Sequence, residues 1–159
     1  MKAGGGKRKG SGFERLIAKD LSLWISKGQR NDIFWRTHSS GSLGTNRRCK
    51  LEYGDIMAID DAGKPLTDKY NIECRCGKFI KIADLVYKTG NMMQFLEEGI
   101  RNATESGRRP VWIFREHSKP IMVMCYRKDI QYLSFESCYI PQFDIIVMPY
   151  EDWKKEFKL

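Results

Sequence analysis

The sequence has no long hydrophobic segment and very few histidines, and each shortage argues against a class of protein. No apolar run approaches the roughly 20 residues that cross a bilayer, so we expect no membrane span and no membrane partner. The two histidines, His38 and His117, stand alone, and no serine or cysteine lies in the motif that surrounds a hydrolase nucleophile. These absences argue against a membrane protein and against a hydrolase with a catalytic triad.

The cysteines are too few and too irregularly spaced for a disulfide framework. There are five, an odd number without paired spacing, which indicates free thiols in a reducing compartment. Cys74 and Cys76 are close in sequence, but no second close pair exists to complete a zinc site, so we interpret both as core residues. We therefore expect a cytoplasmic protein.

Positive charge is in excess, with a net charge of +8 and a pI of about 9.3. Such a balance suits a polyanionic partner, either nucleic acid or an acidic membrane surface. A chain of 159 residues fits one compact domain. We divide it into a flexible basic arm at residues 1–11, rich in glycine and lysine, and a single domain at residues 12–159.

Hydrophobic periodicity predicts helices and strands along the chain. Three segments are predicted to be helical: 12–27, 92–104 and 151–157. Six segments have strand character: 32–38, 54–60, 70–76, 110–115, 121–126 and 143–148. A turn-forming stretch between the second and third strands indicates that these two pair as a hairpin. The order predicts a mixed α/β domain with a central sheet.

An acid on an apolar helix face is the first unusual feature. Glu14 lies within the hydrophobic stripe of the first predicted helix, between Leu21 and Ile25 in angle. Burial of a carboxylate is costly unless something pairs with it, which favours a functional role. The alternative is that Glu14, in the first helical turn, only complements the helix dipole.

Asp55, Glu73 and Arg75 form the most informative group. Because side chains alternate along a strand, Glu73 and Arg75 face the same side of the third predicted strand. Asp55 opens the neighbouring strand, so the predicted hairpin brings the two acids together at one sheet edge. Converging carboxylates repel each other unless a cation lies between them, and such oxygen ligands suit Mg²⁺ or Mn²⁺. The alternative is a surface salt bridge on an edge strand.

Several short motifs occur in order along the chain. They are Gly12-Phe13-Glu14-Arg15, Arg36-Thr37-His38-Ser39-Ser40-Gly41, Gly54-Asp55 and Ile72-Glu73-Cys74-Arg75. Together they resemble the archaeal-type Holliday junction resolvases, and more closely a group of phage-encoded endonucleases of the PD-(D/E)XK superfamily. The segment 107–114 is similar to the phage group as well, and the resemblance covers roughly residues 10–126.

The resemblance implies a restriction-endonuclease-like α/β fold, with a central mixed β-sheet flanked by helices. It also implies a metal-dependent endonuclease that uses Mg²⁺ or Mn²⁺, cuts branched DNA, works as a homodimer and resides in the bacterial host cell. Carried over residue by residue, Glu14, Asp55 and Glu73 are the acidic residues of the metal site. The backbone carbonyl of Cys74 is implied as a further ligand.

Arg75 departs from the family pattern, which has lysine at this position. Arginine stays protonated, so Arg75 cannot act as a general base, but it can stabilise negative charge in the transition state. Lys78 and Lys81 are close enough in sequence to substitute, although neither has the expected spacing. The departure keeps open a second hypothesis, a catalytically silent DNA-binding module of the same fold. A nuclease of linear DNA is the third.

A polar, glycine-rich stretch at residues 39–53 predicts an exposed loop, whose cations either contact phosphates or are simply solvated. The residues that we expect to bind DNA lie in this loop, just before it or shortly after Glu73: Arg36, Thr37, Ser39, Ser40, Arg47, Arg48, Lys50 and Lys78. Apolar residues at 132–143 are a possible surface for the dimer.

Overall fold

The computed structural model describes residues 5–37, 53–134 and 136–157, with side chains from residue 10 onwards. The helices are α1 (Gly5–Ile25), α2 (Lys64–Thr67), α3 (Ala83–Tyr87), α4 (Gly90–Ser106) and α5 (Tyr150–Glu156). The strands are β1 (Phe34–Arg36), β2 (Ile56–Ala58), β3 (Tyr70–Gly77), β4 (Arg109–Glu116), β5 (Met122–Tyr126), β6 (Cys138–Ile140) and β7 (Ile145–Pro149). No helix within the described ranges has the length and hydrophobicity needed to span a bilayer.

Five strands form the main sheet, in the order β3-β4-β5-β7-β6. β3 and β4 are parallel and joined through α4, whereas the pairs beyond β4 are antiparallel. β1 and β2 form a separate two-stranded antiparallel sheet. α1 and α4 both pack against β3. These contacts confirm the predicted α/β fold with a central mixed sheet flanked by helices.

The main sheet separates two hydrophobic cores. One core contains α1 residues such as Ile17 and the even-numbered positions of β3, including Ile72. The other contains Phe95 of α4 and Trp112 of β4. Because side chains alternate across a strand, the odd-numbered positions of β3 face α4. Glu73 therefore lies on the α4 side of the sheet.

α4 approaches β4 closely at Gly99. A Cβ atom at this position would clash with the indole of Trp112. The indole N–H in turn donates a hydrogen bond to the carbonyl oxygen of Phe95, at 3.0 Å. A larger side chain at position 99 would force α4 away from the sheet. The glycine thus sets how far the polar side chains of α4 reach towards β3.

The hairpin predicted between residues 54–60 and 70–76 is wrong. β2 pairs with β1, where Trp35 lies opposite Met57, and β3 pairs with β4 instead. The intervening stretch forms a short 3-10 turn followed by α2, which buries Leu66 in the core. This packed segment replaces the tight turn that a hairpin requires.

α1 begins at Gly5, ahead of the domain boundary that we predicted at residue 12. Residues 5–11 of the predicted arm are therefore helical, despite the low helix propensity of glycine. Extending an existing helix adds a hydrogen bond for each residue fixed, which offsets that propensity. Residues 1–4 lie outside the described residues. The short elements α2, α3 and β6 were not predicted either.

Candidate active site

β3 presents Glu73 to α4, where two amide side chains hold its carboxylate. Asn71, on the same face of the strand, donates from Nδ2 to Oε1 of Glu73 at 2.8 Å. Asn102 of α4 donates from Nδ2 to the same oxygen, also at 2.8 Å. The side chain is buried, with 9% of the residue exposed. Both hydrogen bonds end on the same oxygen, Oε1 of Glu73.

Asp55 is attached to the outer edge of β3 by two hydrogen bonds. Its backbone N–H donates to the carbonyl oxygen of Ile72 at 2.7 Å. Its Oδ2 accepts a hydrogen bond from the backbone N–H of Cys74 at 2.8 Å. The two acids therefore meet at the sheet edge as predicted, although β2, which begins directly after Asp55, is not paired with β3.

Gly54 is what allows Asp55 to approach β3 so closely. Its φ of +86° lies in the left-handed region, which side chains disfavour. A Cβ atom here would lie 2.8 Å from Oδ1 of Asn71 and 2.9 Å from the carbonyl oxygen of Ile72. A glycine is therefore required on both conformational and steric grounds.

Glu14 supports this arrangement through β1. Its carboxylate lies 3.0 Å from Nε of Arg36 in an ion pair that is largely shielded from water. The next residue, Thr37, is buried: its hydroxyl donates to the carbonyl oxygen of Gly54 at 2.7 Å, and its N–H donates to that of Asp55 at 2.9 Å. The ion pair between Glu14 and Arg36 and the position of Asp55 are thus linked through the end of β1.

The electrostatics of the two acids reflect their crowding. Burial raises the pKa of Asp55 from 3.8 to about 7, with repulsion from Glu73 as the next cause and the hydrogen bond from the Cys74 N–H opposing both. Burial also raises the pKa of Glu73, opposed by the hydrogen bonds from Asn102 and Asn71. Both carboxylates would gain from a nearby positive charge.

Arg75 is fixed beside this pair by α4. Its Nη2 lies 2.7 Å from Oε2 of Glu98, and its guanidinium carbon lies 4.6 Å from the ring centroid of Phe95. The side chain is 37% exposed, so part of the guanidinium faces solvent. Its positive charge lowers the pKa of both Asp55 and Glu73, although this is not the largest influence on either.

The donor atoms at this edge fit a hard divalent cation. The N–H and C=O of one strand residue point to the same side, so the carbonyl of Cys74 faces the edge where Asp55 lies. With the carboxylates of Asp55 and Glu73, it provides the oxygen ligands that Mg²⁺ and Mn²⁺ prefer. In the part of the chain that the structure describes, no three His, Cys, Asp or Glu side chains cluster as a metal site. The protein would therefore supply a partial set of ligands, with water completing the coordination.

A comparison with protein families matches residues 5–158 to the family described as "Phage putative PDDEXK endonuclease". The chain belongs to this family of phage PD-(D/E)XK endonucleases. The match confirms the resemblance to the superfamily and to its phage-encoded members, and it supports a nuclease. Comparisons with curated proteins and with solved structures found no match.

The predicted DNA-binding residues have different surroundings. Lys78 is exposed just beyond β3, whereas Arg36 is paired with Glu14 and Thr37 is buried. The buried hydroxyl of Thr37 donates to the carbonyl oxygen of Gly54. The remaining predicted contacts lie outside the described residues: Ser39, Ser40, Arg47, Arg48 and Lys50.

Three polar residues of the candidate site were missed by sequence reasoning: Asn71, Glu98 and Asn102. Asn71 had a usable signal, since it lies two residues before Glu73 on the same strand face. Glu98 and Asn102 are four residues apart, which places them on one face of α4. Their sequence spacing gave no indication that this face meets β3.

Proposed function

We propose that this endonuclease hydrolyses phosphodiester bonds in DNA at Asp55 and Glu73, with Mg²⁺ or Mn²⁺ as cofactor. The carrying observation is that the chain brings two acids to one edge of β3 and holds each with hydrogen bonds. Their raised pKa values come from burial, and for Asp55 also from repulsion by Glu73. A bound cation would offset that repulsion.

The site residues have separate roles in the proposed reaction. Asp55, Glu73 and the carbonyl of Cys74 would hold the metal ion, which when bound would polarise a phosphoryl oxygen and would lower the pKa of a water molecule. Arg75 supplies a permanent positive charge for the phosphate oxygens and takes no part in proton transfer. Glu14 supports the site in two ways: its ion pair with Arg36 is linked to Asp55 through the end of β1, and, after burial and Glu73, its negative charge also raises the pKa of Asp55.

The reaction adds the oxygen of water to phosphorus and breaks the bond to one sugar oxygen. The leaving oxygen takes up a proton and becomes a hydroxyl group, while the proton lost by the attacking water passes to solvent. Asn71 and Asn102 contribute by fixing Oε1 of Glu73, so that the carboxylate needs little reorganisation during the reaction.

Branched DNA is the substrate that we propose, with a homodimer as the active form. The resemblance to Holliday junction resolvases supports both, since two strands must be cut symmetrically. Tyr132, Leu133 and Tyr139 are exposed near the edge strand β6 and would contribute to the dimer surface. The cytoplasm of the bacterial host cell is the place where such an enzyme would meet its substrate.

A catalytically silent DNA-binding module is the second candidate. The observation in its favour is that Arg75 takes the position of the family lysine and is already paired with Glu98. Such a module would bind DNA through the same surface, but it would not cut.

The test is cleavage of a labelled four-way junction beside linear duplex and single-stranded DNA, with Mg²⁺, with Mn²⁺ and with a chelator. The variants are Asp55→Asn and Glu73→Gln. Glu97→Gln is the matched control, since it makes the same chemical change at an exposed position of α4. Metal binding by each protein is measured separately by calorimetry.

We expect metal-dependent cutting that is lost in both site variants and kept in the control, with the junction cut faster than linear DNA. Faster cutting of linear duplex would retain the nuclease but overturn the branched substrate. Binding of DNA without cutting, unchanged by either substitution, would overturn the enzyme and favour the silent module.

A further inference from the structure

A cleft lies at the ends of the parallel strands β3 and β4, next to the candidate active site. Its volume is about 540 Å³, within the range of roughly 300–1,000 Å³ that is usual for small-ligand sites. Helix α1 forms one side, and the turn after β4 forms the other. The side chains that define it are Phe13, Leu16, Cys76, Arg115, His117 and Lys119.

One part of the cleft is apolar and open to solvent. Leu16 is 48% exposed on α1, although it is a large hydrophobic residue. It lies beside Phe13 and Cys76, the latter only half-buried at the end of β3. An apolar surface that is left accessible within a cleft favours a ligand with an apolar face of its own.

The opposite part of the cleft carries unneutralised positive charge. Arg115 and Lys119 are exposed, and neither takes part in an ion pair within the described ranges. The guanidinium carbon of Arg115 lies 5.3 Å from the ring centroid of Phe13, which holds the charge over the apolar part. Glu116 does not line the cleft. The cleft thus combines an apolar surface with two free cations.

The cleft lies at a suitable distance from the acids. Cys76 is three residues beyond Glu73 on β3, about 10 Å along the strand, and it faces α1 whereas Glu73 faces α4. Successive phosphates of one DNA strand are about 3.4 Å apart along a duplex, so this distance corresponds to a few nucleotides. Asp55 lies at the outer edge of β3, between these two faces, so a DNA strand that passes over this edge can continue from the acids into the cleft.

We infer that this cleft binds an unpaired nucleotide close to the cut, so that the substrate is DNA with unpaired bases beside the scissile phosphate. The faces of a paired base are covered by its neighbours in the duplex, whereas an unpaired base can pack one apolar face on the exposed side chain of Leu16. Arg115 and Lys119 then contact the phosphates on either side. The inference rests on the proposed nuclease function, and it adds to the proposed branched substrate the requirement that bases beside the cut are unpaired.

The first test compares binding of two DNA molecules of equal length in the presence of chelator, one fully paired and one with a short single-stranded gap. Fluorescence anisotropy gives the two dissociation constants and their ratio. The variant is the double substitution Leu16→Ser and Lys119→Glu, at exposed positions. Lys69→Glu is the matched control, because it makes the same charge change at the opposite end of β3.

We expect wild type to prefer the gapped DNA, and we expect the double variant to reduce this preference about fivefold or more. The control should weaken binding to both molecules equally. Thermal unfolding checks that both proteins remain folded. The inference would be overturned if the double variant kept the preference for gapped DNA, or if wild type showed no such preference.

A photocrosslink then locates the unpaired base. The gapped DNA carries 5-iododeoxyuridine at the unpaired positions, and the crosslinked peptide is identified by mass spectrometry. Crosslinks to residues 12–16 or 76–77 support the cleft, whereas crosslinks confined to other segments overturn it.

The two proposals fail in different ways. Metal-dependent cutting with no preference for unpaired bases removes the cleft inference and leaves the nuclease intact. A preference for gapped DNA without cutting supports the cleft and overturns the proposed nuclease activity.

Discussion

The acidic site and the neighbouring cleft differ in how firmly their charged side chains are held. At the site, Glu73 is buried and held by two amide groups, and Asp55 is tied to β3 by backbone and side chain. In the cleft, Arg115 and Lys119 are exposed and held by no ion pair in the described part of the chain. Metal coordination and bond cleavage require fixed atoms, whereas attraction of a phosphate chain requires only charge within reach. A change in the rigid region should therefore cost much more activity than one in the open region.

The largest effect is expected at Glu73. Glu73→Gln keeps an oxygen for Asn71 and Asn102 but removes the charge, so we expect single-turnover cleavage to fall by about 100-fold or more. The double variant of the cleft should slow the same reaction only about tenfold or less at saturating DNA. Equal losses in the two proteins would contradict the contrast between the regions.

Gly54→Ala should have the next largest effect on cleavage, because it moves Asp55 without changing either acid. The new Cβ would meet Asn71 and Ile72 in addition to the unfavourable φ of +86°. We expect cleavage to fall at least about tenfold and the free energy of unfolding to fall by about 1–3 kcal/mol. Chemical denaturation and single-turnover kinetics measure the two effects.

Gly28→Ala is the control for that experiment. Gly28 has the same φ of +86°, but a Cβ there meets nothing within 4 Å. It should lose stability from backbone strain alone and keep its cleavage rate. Equal cleavage rates in the two alanine variants would show that the close approach at Gly54 is unimportant.

Asp55→Asn should stabilise the metal-free protein at neutral and alkaline pH. The folded-state pKa of Asp55, about 7, lies above its ordinary value of 3.8. Ionisation is therefore disfavoured by folding, and the wild type loses stability as the pH rises between these values. We expect the variant to melt a few degrees higher at pH 8 and at the same temperature as wild type near pH 4. Saturating Mg²⁺ should reverse the order at pH 8, which calorimetric melting can measure.

Asn102→Ala should have the smallest effect of the four. It removes one of the two hydrogen bonds to Oε1 of Glu73 and leaves the bond from Asn71. We expect a reduction in cleavage of about tenfold or less, with weaker metal binding measured by calorimetry. Thr104→Ala, at an exposed position of the same helix, is the control and should cut at the wild-type rate.

The sequence predicted the main elements and the mixed sheet, because periodicity reports directly on which residues are buried. It also placed Asp55 and Glu73 together, but through a hairpin that does not form. A strand such as β2 is compatible locally with several partners, and its pairing with β1 depends on how α2 and Leu66 pack. Local patterns do not contain that information.

Interactions between distant parts of the chain were the hardest to predict. Glu14 was recognised as an acid on an apolar face, but nothing in its surroundings identified Arg36 as its partner. Asn102 contacts Glu73 only because Gly99 allows α4 to lie close to the sheet. The chemistry of the site was therefore partly readable, whereas the contacts that hold it depend on packing depth.

The contacts of Asp55 with β3 also bear on solubility. β3 is an edge strand of the main sheet, and such an edge offers free N–H and C=O groups to a strand of another molecule. Asp55 occupies the carbonyl of Ile72 and the N–H of Cys74, so the atoms that position an acid also block the addition of a foreign strand. Without this segment, the free edge of β3 would be open to edge-to-edge aggregation. Asp55 thus protects the folded protein from aggregation independently of any role in DNA cleavage.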